Sequence, residues 1–280
     1  MPWLRKQRVS LESLIDECGD PHQRISLFAI AGQTSGLLGY IAAGRGSSPI
    51  GRAYCLESYQ LGCYAADPNP VAWARGMQSF CEYYAGRYEE ALRFAEAGLA
   101  EATADSQRIR LAVNGVARAK GKLGDADGVR RAVDQAYEVQ SRSEAGISPR
   151  SSISLAGYSS AQLAGNAATA YLSLAMPREV ERYGRIALGE MPAEQSPWGR
   201  ALVQLDMARS QVMSSDGDFD AAMAMIGEVF ACARGGFMTP VRCRGMEFVG
   251  EAAARWGDSP QLREIRTMLL DAQALGGRGE

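Results

Sequence analysis

Lysine and histidine are both scarce in this chain, and each shortage narrows what it can do. Only Lys6, Lys120 and Lys122 break an otherwise arginine-based set of cations, and the acidic residues balance that set to a net charge of −2. No general electrostatic pull toward nucleic acid follows from such a balance. The arginine excess fits a GC-rich coding bias, with phosphate recognition as the alternative. His22 is the single histidine, set in GDPHQR, which reads as an exposed turn. Any Ser-His-Asp or Cys-His centre would have to use it, so no catalytic residue is assigned, and a multi-histidine metal site is excluded by the count.

Other motifs are missing too. The cysteines (18, 55, 63, 81, 232 and 243) contain no C-x-x-C pair, so neither a zinc cluster nor a secreted disulfide framework is expected. Most have apolar neighbours and read as small core residues, and free thiols fit a reducing cytoplasm. No G-x-x-x-x-G-K-[ST] loop, strand-borne G-x-G-x-x-G or G-x-S-x-G elbow occurs. No metal or cofactor is expected. The most apolar stretch, ISLFAIAGQTSGLLGYIAA, is interrupted by Gln33, Thr34 and Ser35. It reads as a buried helix rather than a membrane span, and MPWLRKQRVS does not read as a signal peptide.

What is present is helix, recurring loosely. In FCEYYAGRYEEALRFAEAGL, Gly86 can end one helix in the left-handed region, while Glu89 and Glu90 suit the positive end of the next. The same grammar returns around Gly124 and Gly217, at Met176-Pro177, and in LLGYIAAGRGSSPIGRAYCLESY. The turns near 46, 86, 124, 176 and 217 lie about 38–52 residues apart, as expected for stacked helix hairpins that cannot bury their apolar faces alone. Asp216, Asp218 and Asp220 sit in one such turn and read as helix caps rather than cation ligands.

These signatures resemble the tetratricopeptide repeat (TPR), in which a small residue precedes an alanine by twelve positions, as Ser79 does Ala91 and Ser210 does Ala222, with Ala168 and Val180 a looser pair. The order of segments over residues 25–270 is similar to the C-terminal half of bacterial XRE-type helix-turn-helix regulators that carry TPR arrays. The resemblance implies an all-α, right-handed superhelical solenoid of about five hairpins plus terminal helices, forming a single domain over 25–280 after a segment at 1–24. The Ser/Gly/Pro-rich stretch 141–157 is read as a long loop inside that solenoid, because repeat patterning resumes at once, with a domain linker as the alternative. RVSLESLIDECGD supplies one helix where a helix-turn-helix needs two and a support, so direct DNA binding is not expected.

The resemblance also places positions in a concave groove lined by the first helix of each repeat. Counting back from Ala91 gives Trp73, Gly76, Phe80, Tyr83 and Tyr84, whose aromatics share one helix face. The same count elsewhere gives Tyr40, Asn114, Arg118, Lys122, Thr169, Ser173, Gln204 and Gln211, and Arg118 with Lys122 would suit a carboxylate. Packing between repeats is the alternative role for the aromatics, and a solvated basic face for Arg118 and Lys122. The expected function is a cytoplasmic, non-enzymatic regulatory scaffold that takes a peptide, a protein or a small signal molecule in its groove. An enzyme of secondary metabolism using a carboxylate or tyrosine is the alternative. FVGEAAARW and REIRTMLLDA are candidate surfaces for homodimerisation or for terminal capping.

Overall fold

The computed structural model describes residues 2–143, 155, 157–191, 197–232 and 238–276, and every element among them is helical. They group into two compact units, residues 1–159 and 160–280.

The first unit opens with α1 (Pro2–Glu17), which packs on α2 (Pro21–Gly44). Pairs follow: α2 with α3 (Ser48–Tyr64), and α4 (Pro68–Tyr84) with α5 (Tyr88–Glu101). The third pair starts with α6 (Asp105–Arg110), which continues through a π-helical stretch, Leu111–Ala117, into α7 (Arg118–Lys122). Its second member is α8 (Ala126–Arg142). In the second unit α9 (Ser160–Ser173) pairs with α10 (Pro177–Glu190), α11 (Pro197–Met213) with α12 (Phe219–Cys232), and α13 (Thr239–Trp256) with α14 (Pro260–Gly276). Within each unit the first helix of a pair also packs on the first helix of the next, as α2 does on α4 and α9 on α11.

Local chemistry sets the helix ends. Asp20, Asp67 and Asp125 each accept a backbone N–H from the first turn of α2, α4 and α8, and prolines sit at the starts of α2, α3, α4 and α10. Asp218 does the same for α12, accepting from the N–H groups of Asp220 and Ala221. Each of the five turns read from the sequence falls between the two helices of a pair. Gly46, Gly86 and Gly124 end their helices at φ of +79°, +76° and +78°. Ala66 and Ala175 hold the equivalent place at +55° and +52°, where an L residue is strained.

Small residues set how closely helices approach. Ser79, Ala91, Ala168, Val180, Ser210 and Ala222 are all buried. On α2 a Cβ at Gly32 would press on Leu61 and Ser58, and one at Gly39 on Cys55, so its glycines admit α3. This helix is long and apolar enough to cross a membrane by length and composition, and 44% of that window is buried within the protein. The cysteines divide by helix face. Cys55 and Cys81 are buried, Cys18 is half-buried, and Cys63 and Cys243 are exposed, so of these five cysteines the core reading holds for two. Phe248, Val249 and Ala252 of α13 join one core with Leu262, Ile265 and Leu269 of α14, so those two candidate dimer surfaces contribute apolar residues to packing within the terminal pair. Most of the Ser/Gly/Pro-rich stretch 141–157 lies outside the described residues.

Candidate ligand-binding face

Six of the sequence-predicted residues meet on the first helices of the first unit: Tyr40 from α2, Phe80, Tyr83 and Tyr84 from α4, Asn114 from the π-helical stretch and Arg118 from α7. Tyr40 stacks on Phe80 with centroids 4.8 Å apart, Phe80 meets Tyr84 at 4.6 Å, and Tyr84 meets Tyr83 edge-on at 5.4 Å. Such contacts add to the burial of the rings and hold them in one arrangement. Tyr40 and Tyr84 are half-buried, whereas Phe80 and Tyr83 are buried.

Arg118 locks the far end of this row. Its guanidinium carbon lies 4.1 Å from the Tyr83 ring centroid, and its nitrogens donate to the Tyr84 hydroxyl at 3.1 Å and to the Asn114 side-chain carbonyl. Burial pulls its pKa down, but Tyr84 and Tyr83 outweigh that and hold it above the ordinary arginine value. Arg118 is therefore a permanent cation whose donors are directed at protein groups. Lys122, one turn on, is exposed, with its ammonium 5.9 Å from the Tyr88 ring. Arg118 and Lys122 thus have different surroundings, the guanidinium being drawn inward by the tyrosines and the ammonium lying at the surface.

Trp73 lies in the packing, 2% exposed, and not on an open surface. A Cβ on Gly36 would sit 2.1 Å from its ring, so α2 leaves a glycine-sized gap that the indole fills. Gly76 is half-buried beside Leu111. The other predicted positions belong to the second unit. Buried Thr169 donates its hydroxyl to Asp206 at 2.6 Å. Ser173 donates to the Thr169 carbonyl, and buried Gln204 to Glu228. Gln211 braces the α11–α12 turn by accepting the Asp218 N–H at 3.2 Å.

Sequence reasoning missed Gln107, Arg110, Leu155, Gly157 and Tyr158, which complete the first-unit face. Gln107 and Arg110 of α6 are buried at 0% and 2% exposure. The Gln107 amide donates at 2.6 Å to the carbonyl of Leu155, which also accepts from the Ser106 hydroxyl at 3.4 Å. Arg110 donates to the Gly157 carbonyl at 3.4 Å, and its guanidinium lies 5.1 Å from the ring centroid of buried Tyr158. Burial lowers the Arg110 pKa, with Tyr158 and Tyr40 opposing the shift. The Leu155 side chain packs against the cluster that Trp73, Met77 and Phe80 form with Tyr40 and Tyr84. Helical spacing back from Asn114 by four and seven residues is the signal that finds Arg110 and Gln107.

The second unit carries a polar core of its own. Asp206, wholly buried, accepts from Arg244 at 2.7 Å as well as from Thr169. Arg209 donates to Glu247 and Glu251. Among the described residues the buried carboxylates are Glu82 and Asp206. Both face arginines, since Glu82 pairs with Arg52 and Arg87. No group of three or more histidine, cysteine or carboxylate side chains suited to a metal ion occurs among the described residues. Between α1 and α2 an open concavity of about 460 Å³ is lined by Leu14, Glu17, Cys18, Gln23, Ser26 and Leu27, without a converging set of donors.

No protein-family model matches the chain, and no curated protein matches it.

Proposed function

We propose that the chain is a non-enzymatic, TPR-like scaffold that binds a peptide, a protein or a small signal molecule on the first-helix face of its first unit. The right-handed superhelical solenoid belongs to this proposal, as does a regulatory role in the cytoplasm. The observation that carries the reading is the convergence of Tyr40, Phe80, Tyr84 and Arg118 from three successive first helices. Rigid aromatics with polar tips, next to buried hydrogen-bonding groups, suit recognition by shape and a few directed bonds. Acid–base chemistry asks instead for a carboxylate kept protonated by an apolar pocket. Glu82 and Asp206, the buried carboxylates among the described residues, are instead tied up in ion pairs with arginines.

Affinity capture from the protein's own cells tests this reading. Material retained by the wild type is expected to be lost from Tyr84→Ala and kept by Lys122→Ala, which lies outside the aromatic row. Melting curves would confirm that both variants fold. Equal retention by a folded Tyr84→Ala would overturn the assignment of this face.

A further inference from the structure

The short links inside the first unit, such as 65–67 between α3 and α4 or 85–87 between α4 and α5, need only three residues, whereas α8 and α9 are separated by 143–159. Connections of this length commonly have work of their own. The described end of this one lies on the candidate face: Leu155 against the aromatic cluster, the Leu155 and Gly157 carbonyls on Gln107 and Arg110, and Tyr158 beside the Arg110 guanidinium.

We infer that this face is a groove for a non-helical peptide with the pattern Leu-x-Gly-Tyr, and that Leu155, Gly157 and Tyr158 fill it as a ligand carried by the chain itself. A buried glutamine amide and a buried guanidinium are costly unless bonded. Here the Gln107 amide and one Arg110 nitrogen donate to main-chain carbonyls of a non-helical segment. Any non-helical chain offers those carbonyls, so Gln107 and Arg110 read backbone, while the aromatic cluster reads one aliphatic side chain. Gln107 has capacity to spare, because its Oε1 is buried and has no partner among the described residues. It is placed to accept an N–H from a better-fitting peptide. A partner segment of this chemistry displaces the internal one, so the internal segment sets the threshold for binding.

This inference rests on the reading of the face as a binding surface, and the two can fail separately. The probe is a fluorescein-labelled peptide of residues 151–160, SSISLAGYSS, titrated by anisotropy into the full chain. Leu155→Asp removes the internal side chain from the aromatic cluster, and the peptide is expected to bind this variant at least tenfold tighter than the wild type. Gln107→Leu in the same background should abolish the gain, as should a peptide with aspartate in place of its leucine. If Leu155→Asp does not fold, Leu155→Ala takes its place. A folded variant that fails to bind, or equal affinity for variant and wild type, would overturn the inference. Captured material that still depended on Tyr84 would leave the proposed function standing in either case.

Discussion

Glu57 lies where three helices meet, accepting from Arg8 of α1 through both Nε, shared between its two oxygens at 3.0 and 2.8 Å, and Nη2, and from Ser35 of α2 at 2.8 Å. Burial pushes its carboxyl upward, but the bonds from Arg8 and Ser35 outweigh that and hold it below the ordinary glutamate range. A group depressed in the folded state stabilises the protein fully above its unfolded-state pKa, and this contribution is lost as pH falls through the lower folded value. Melting temperature should therefore drop more steeply below about pH 4 in the wild type than in Glu57→Gln. Parallel curves would show that Glu57 does not anchor α1. Asp206 gives a second test, because its neighbour Arg244 has a side chain only 11% exposed. Asp206→Asn should cost about 3–5 kcal/mol in urea denaturation, and Asp206→Leu with Arg244→Met should recover most of it. Trp73 shows why residue roles were only partly legible. Its place on the helix follows from periodicity, but the gap that takes its ring is made by Gly36 on another helix.

Helices and their turns were the most legible level, because glycine, proline and aspartate act locally. Gly86 and Gly124 mark their turns through backbone freedom, and Pro177 marks the start of α10. The turn at 65–67 escaped notice because Ala66 occupies the left-handed position that usually signals itself by glycine. Gln107 and Arg110 escaped because α6 begins at Asp105, ahead of the counted positions Asn114, Arg118 and Lys122. Glycines within helices divide by what surrounds them, and that is testable. Gly36→Ala drives a methyl into the buried Trp73 ring and should cost about 1–3 kcal/mol. Gly250→Ala on α13 meets open space and should stabilise by about 0.5–1 kcal/mol through helix propensity alone. Equal melting temperatures for the two variants would contradict the packing of α2 on α4.

The whole chain was read from its sequence as one domain over 25–280, and its contacts group it into two compact units divided at Ser159 and Ser160. The first carries the aromatic row and the internal segment on it, and the second a buried Asp206–Arg244 pair. The all-helical class was legible because apolar periodicity runs through most of the chain. The contribution of Leu155 to the face was not, since it falls outside every repeat and is brought there only by the long connection. If the proposed function holds, this face carries an exchangeable ligand. Native against denaturing mass, measured on wild type, Leu155→Asp and Tyr84→Ala purified from the protein's own cells, tests that claim most directly. A non-covalent load that rises from wild type to Leu155→Asp and is absent from Tyr84→Ala is expected. The same load on all three, or none on any, would contradict it.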